Sequence, residues 1–121
     1  MTLAGVFALI YNEKQELLLC LRNDYDLWNL PGGGLEENES PWEGILREIK
    51  EEIGADATVE RLSGLYWRPE KHEVVYVFLC HLHGVPTTSG EAREVRYFPI
   101  NALPKNVSTR LAERVADSLV S

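Results

Sequence analysis

Positive charge is in short supply in this chain. Twelve lysines and arginines stand against nineteen aspartates and glutamates, a net of −7. Binders of nucleic-acid polymers or anionic membranes normally present a basic face, so both partner classes are set aside. Phosphorylated small molecules stay in play, because a bound divalent cation can supply the missing charge.

Long apolar runs are also missing. No stretch approaches the ~20 apolar residues that span a bilayer. The N-terminal MTLAGVFALIYNEKQ lacks the basic region and apolar length of a signal peptide. A cytoplasmic protein is expected. The two cysteines have no spacing motif; Cys20 in LLLCL and Cys80 in VFLCHL read as small buried hydrophobes. His72, His81 and His83 form no ligand pattern, and His81 and His83 read as a pair on a sheet surface. Repeats, low-complexity tracts and linker-like segments are absent. The 121 residues read as one domain, 1–121.

What is present alternates strands and helices irregularly. Leu3–Tyr11 and ELLLCLR, joined by Asn12–Gln15, predict a β-hairpin. DLWNL, residues 26–30, predicts a short strand ending at Pro31 and three glycines. Ala57–Arg68 is extended with a break near Gly64. Val74–Leu82 is rich in β-branched and aromatic residues and predicts a central buried strand. Pro69 reads as a turn proline between the two, and Val95–Pro99 as a last strand. The tail places Val107, Leu111, Val115 and Leu119 at four-residue steps, predicting a terminal helix docked by one stripe. The class is α+β or a mixed-sheet sandwich.

PWEGILREIKEEIG, residues 41–54, carries the fullest helix punctuation. Ser40 suits the N-cap, Pro41 the first turn, Glu43 a capping box and Gly54 the C-terminal stop. Trp42, Ile45, Leu46, Ile49 and Ile53 fall on one side, the expected core face. Glu48, Glu51 and Glu52 gather on another, with Gly44 among them. Like charges at this spacing repel, and the negative helix end lies beside them. Hard carboxylate oxygens suit Mg²⁺ or Mn²⁺. Gly44, costing ~1 kcal/mol in a helix interior, would leave room for a ligand beside them. By residue chemistry alone, a solvated acidic face and a metal site stand on equal terms.

The stretch from Gly33 to Ala55 resembles the box of the Nudix hydrolases, of the MutT-like or ADP-ribose pyrophosphatase-like kind. Gly33, Glu39 and Arg47-Glu48-Ile49-Lys50-Glu51-Glu52-Ile53-Gly54 stand at that pattern's spacing, and only Ala55 departs from its bulky aliphatic end. Asn38 stands where many members have glycine and tolerates a left-handed backbone. The resemblance implies a Nudix-type α/β/α sandwich around a mixed β-sheet. It also implies Mg²⁺-dependent (or Mn²⁺-dependent) hydrolysis of a pyrophosphate bond in a nucleoside diphosphate linked to another moiety. Glu48, Glu51 and Glu52 become metal ligands, with the backbone carbonyl of Gly32 a further one. Arg47 becomes a residue that orients a box glutamate, and Glu39 its partner or an ordinary exposed glutamate.

The general base is expected at Glu91, with Glu94 next and Glu48 or Glu51 as alternatives. Arg22, Trp28, Tyr66, Trp67 and Arg68 are candidates to stack a base or pair with phosphate. Among substrates, ADP-ribose-like or dinucleotide compounds are favoured over nucleoside triphosphates such as 8-oxo-dGTP. A non-catalytic nucleotide sensor is the rival from another class, although the box glutamates are all kept. RNA cap hydrolysis would need a basic path for RNA. A homodimer is compatible with the sequence, which names no interface.

Overall fold

The computed structural model describes residues 4–24, 26–88 and 91–120. Seven strands and two helices follow in the order β1 (Ala4–Ile10), β2 (Glu16–Arg22), β3 (Trp28–Asn29), β4 (Gly32–Gly34), α1 (Pro41–Ile53), β5 (Asp56–Arg68), β6 (Glu73–His83), β7 (Ala92–Pro99) and α2 (Leu111–Ser118). Short 3₁₀ turns at Pro69–Lys71 and Ile100–Ala102 complete the chain. One mixed sheet runs β4-β1-β6-β5, and a second, antiparallel one runs β3-β2-β7.

The central strands are apolar on both faces because a helix lies on each side. Val6, Ala8 and Ile10 of β1 and Phe78 of β6 pack with Ile45, Ile49 and Ile53 of α1. Leu9, Val75 and Val77 pack instead with Leu111 and Val115 of α2. Adjacent residues of one strand therefore serve opposite layers. This is the α/β/α sandwich around mixed sheet that the resemblance implied. Cys20 and Cys80 are both free and buried in the α1 layer.

The expected β1–β2 hairpin does not form. Its turn does: Asn12 Oδ1 accepts from the N–H groups of Lys14 and Glu16 at 3.0 and 2.9 Å, and Gln15 turns left-handed at φ 63°. Beyond the Tyr11–Leu17 bridge the strands part into different sheets. β1 takes a parallel ladder with β6 from Ala4–Val74 to Ile10–Cys80, and β2 an antiparallel one with β7. Long-range pairing of doubly buried strands overrides the local signal. The break near Gly64 appears as a register shift between Leu62 and Gly64 within a continuous β5.

Helix α1 starts and stops as its punctuation predicts. Ser40 and Glu43 form the capping box and Gly54 adopts the left-handed stop. Its buried stripe, however, is rotated from the expected one. Ile45, Ile49 and Ile53 are buried together with Gly44, Glu48 and Glu52, while Trp42 and Leu46 are 51% and 37% exposed. In α2 the stripe holds at Leu111 and Val115, but Leu119 lies past the helix end and is 61% exposed.

Candidate metal centre and substrate cleft

The glycine loop becomes β4, laid antiparallel on β1 with Val6 opposite Gly33 and Phe7 opposite Gly32. Two of its glycines are demanded by close approach. A Cβ at Gly32 would lie 2.1 Å from the Val6 carbonyl oxygen. One at Gly33 would lie 2.7 Å from Glu48 Oε1. Gly44 has another purpose than the expected one. A Cβ there would meet Leu35 Cδ2 at 2.3 Å and Glu39 Oε1 at 3.0 Å, so the residue admits the preceding loop, not a ligand.

Carboxylate oxygens of Glu48, Glu52 and Glu91 all lie within 4.8 Å of one another. Glu48 and Glu52 are 7% and 5% exposed, so the acidic stripe is not the open face its spacing indicated. Glu91 reaches them from the turn residue just before β7 and remains exposed. Burial, then the neighbouring Glu48 charge, pushes the Glu52 carboxyl up to about 8; the Gly32 N–H, 3.3 Å from its Oε2, opposes this. Glu48 is raised in the same direction by burial, against the pull of Arg47. An all-oxygen donor set, half desolvated and self-repelling, fits a hard divalent cation. Glu94 is engaged with Arg96 and stands outside this group.

Arg47 ties the box together. Its Nε and Nη2 donate to the two oxygens of Glu39 at 2.7 and 2.9 Å, a bidentate pair. Its Nη2 also donates to the Gly34 carbonyl at 3.1 Å, and its Nη1 to Glu48 Oε1 at 3.0 Å. The Arg47 guanidinium, first among its causes, holds the Glu39 carboxyl below its usual range. Glu51 is exposed and accepts from Arg47 Nη1 at 3.2 Å. It lies outside the converging trio.

A cleft of about 300 Å³ opens beside Glu52, with Arg22, Arg68, Lys71 and Glu73 among its walls. Arg22 pairs with Asp24 at 3.1 Å, and Arg68 lies 3.6 Å from Glu73. Trp67 is 55% exposed, its ring edge-on to His72 and away from the cleft lining. Tyr66 is turned to the α2 side, its hydroxyl donating to Asp117 at 2.5 Å. Trp28 departs furthest from expectation. Only 6% exposed, it packs edge-on against Phe98 at 4.9 Å with Arg96 over its ring, so no face is left for a base.

Sequence reasoning passed over Lys71 and Glu73. Glu73 is a buried acid at the head of the apolar β6, which is the signal that could have found it, and its Oε1 packs where a Cβ on Gly5 would meet it at 3.0 Å. Arg114 was passed over too, since a charged residue on a terminal helix reads as solvated.

A family model for the NUDIX domain matches residues 1–118. A Bacillus subtilis (strain 168) protein provisionally named an 8-oxo-dGTP diphosphatase is 39% identical over 80 residues, covering 66% of this chain and 54% of that one. An ADP-ribose pyrophosphatase of Methanocaldococcus jannaschii is 34% identical over 108 residues, covering 84% and 64%. The solved structure of a UDP-X diphosphatase superposes with a TM-score of 0.85 at 31% identity, covering 98% of this chain and 61% of that one. The chain thus spans between 54% and 64% of the length of each of these three. With the box residues Glu48 and Glu52 meeting Glu91 at one point and a family match over nearly its whole length, the chain belongs to the Nudix family.

Proposed function

We propose that the protein hydrolyses a phosphoanhydride bond in a nucleoside diphosphate linked to another moiety, with Mg²⁺ or Mn²⁺ held by Glu48 and Glu52 and with Glu91 beside them as the base. The observation that carries this reading is the approach of those three carboxylates within 4.8 Å, two of them buried. The Gly32 carbonyl is a further ligand in this reading. A divalent cation bound there would neutralise diphosphate charge and acidify a water.

The chain's own residues have separable tasks. Arg47 fixes the Glu48 carboxylate, and Glu39 and Glu51 hold Arg47 in turn. Glu91, next to the buried pair and open to solvent, takes the proton of the attacking water and passes it to bulk. Arg22, Arg68 and Lys71 bring cations to an otherwise acidic surface where diphosphate oxygens would lie. ADP-ribose-like or dinucleotide compounds are the favoured substrates, with nucleoside triphosphates such as 8-oxo-dGTP the second reading. The relatives named for ADP-ribose and for 8-oxo-dGTP keep both in view.

The test is a panel of ADP-ribose, diadenosine polyphosphates, NADH, NDP-sugars, dNTPs and 8-oxo-dGTP, with products identified. Cleavage should require Mg²⁺ or Mn²⁺ and vanish in EDTA. Metal-independent turnover, or binding of these compounds without cleavage, would overturn the assignment.

A further inference from the structure

A second cavity, of about 180 Å³, lies at the start of α2. That is far above the ~10–15 Å³ that admits a single water. Arg68, Arg110 and Arg114 border it, with Glu70 the one acidic residue in its lining. In a chain of net charge −7 this is a local reversal of sign. Glu70 cannot satisfy all three cations. It accepts from Arg110 Nη2 at 3.1 Å and lies 3.7 Å from Arg68 Nε.

Arg114 differs from its neighbours. It is 6% exposed, and its Nε is buried without a hydrogen-bond partner. Among the described residues its guanidinium has no ion-pair or hydrogen-bonding partner, and it stacks over the Tyr66 ring at 4.6 Å. The Tyr66 hydroxyl is turned to Asp117, to which it donates, and Arg114 meets the ring face instead. A buried cation with no acceptor is costly unless a ligand supplies one. At the head of α2 the N-cap, Arg110, makes no side-chain cap, and the Leu111 N–H donates to the Ser108 carbonyl at 3.1 Å, so the anion-binding groups on offer are the guanidinium groups.

We propose that Arg68, Arg110 and Arg114 form an oxyanion subsite for a phosphoryl group at the head of α2, separate from the carboxylate trio. Guanidinium groups suit phosphate because each can donate two parallel hydrogen bonds. The cavity adjoins the cleft beside Glu52, sharing Phe7, Asn29, Leu30 and Arg68 with it. Resting on the reading of that cleft as a nucleotide site, the subsite narrows the ligand class. The phosphoryl group belongs either to a substrate, beyond its scissile diphosphate, or to free phosphate acting on turnover.

Binding is tested first without metal, so that the subsite and the hydrolase reading fail separately. Inorganic phosphate titrated into the protein in EDTA, followed by calorimetry or ³¹P line width, should bind saturably. Arg114→Gln and Arg110→Gln should each weaken it by roughly tenfold or more, and Glu52→Gln should leave it in place. Arg110 is 38% exposed in its side chain, so Arg110→Gln keeps the test open if Arg114→Gln fails to fold. Absent binding, binding unchanged in Arg110→Gln, or binding lost in Glu52→Gln would each overturn the subsite.

The second arm compares two Mg²⁺-supported substrates differing by one phosphomonoester. If the substrate carries the ligand, Arg110→Gln raises KM for the phosphorylated one alone. If free phosphate is the ligand, phosphate alters wild-type turnover but not that of Arg110→Gln. An active protein that shows neither of these responses would overturn the subsite. Arginine-dependent phosphate binding in a protein that cleaves no diphosphate would retain the subsite and sink the hydrolase reading.

Discussion

Helices α1 and α2 pack on opposite faces of the same strands, and each buries charge, but on different terms. In α1 the buried Glu48 and Glu52 come with Arg47, whose guanidinium is shared among Glu39, Glu48 and Glu51. In α2 the buried Arg114 comes with no carboxylate partner among the described residues. The acids repel one another and want a cation; the arginine lacks an acceptor and wants an anion. In the proposed reading, burial of charge next to a cleft marks both ends of the substrate path, with opposite sign. Charges held on a solvated face, such as Lys50 with Asp56, carry no such meaning.

The largest effect should come from removing charge at the acidic end. Glu52→Gln keeps the shape of the side chain and deletes an anionic ligand. Turnover should drop by at least about a hundredfold, since even residues that merely orient a ligand cost 10–100-fold. Circular dichroism should show the fold intact. Near-normal turnover in the folded variant would remove Glu52 from the ligand set and undo the contrast between the two helices.

The acidic end should also show in how stability depends on pH. Glu52 titrates at about 8 in the metal-free folded chain, against an ordinary 4.5. Folding therefore retains a proton that the unfolded chain has already lost. Stability is fully present below about 4.5 and declines as pH rises towards 8, by up to a few kcal/mol. Glu48 acts in the same direction. Mg²⁺ should flatten this slope, because binding needs the carboxylates ionised and releases their protons. Chemical denaturation of the EDTA-treated protein at pH 5, 6.5 and 8 measures it. Stability rising across that range would show that the pair is ionised without a cation.

Arg47 tests the intermediate scale. Arg47→Lys keeps the charge but not the planar fork that grips Glu39 while reaching Glu48. Metal affinity, read by calorimetry, should weaken by about 10–100-fold. Glu39→Gln should follow in the same direction with a smaller effect, because it loosens Arg47 without touching Glu48. Unchanged affinity in both would make the bidentate pair a structural clamp alone.

The two helices also differ in how plainly the sequence announces them. Ser40, Pro41, Glu43 and Gly54 are local signals, and each keeps its place in the structure because capping depends on neighbours a few residues away. Asn38 likewise adopts its left-handed backbone at φ 64°. Other features depend on distant partners and were not legible. The parting of β1 from β2 follows from β6, more than sixty residues on. Trp28 reads as a stacking platform until Phe98 and Arg96 cover it. Gly44 reads as space for a ligand until Leu35 fills that space. The burial of Glu48 and Glu52 was hidden for the same reason: spacing gives a helix its stripes, and only the packed sheet decides which stripe turns inward.

The smallest expected effect separates a stripe drawn from sequence from one that is packed. Leu111 and Leu119 belong to the same four-residue series, yet Leu111 is 1% exposed and Leu119 is 61% exposed. Leu111→Ala empties a site shared with Leu9, Val75 and Trp28 and should cost about 2–5 kcal/mol. Leu119→Ser should change stability by no more than about 0.5 kcal/mol, as surface substitutions usually do. Urea titration of both variants, in EDTA to keep metal binding out of the comparison, measures the difference. A Leu119→Ser cost approaching that of Leu111→Ala would mean that the end of α2 is covered in solution, and that its stripe runs as far as the sequence drew it.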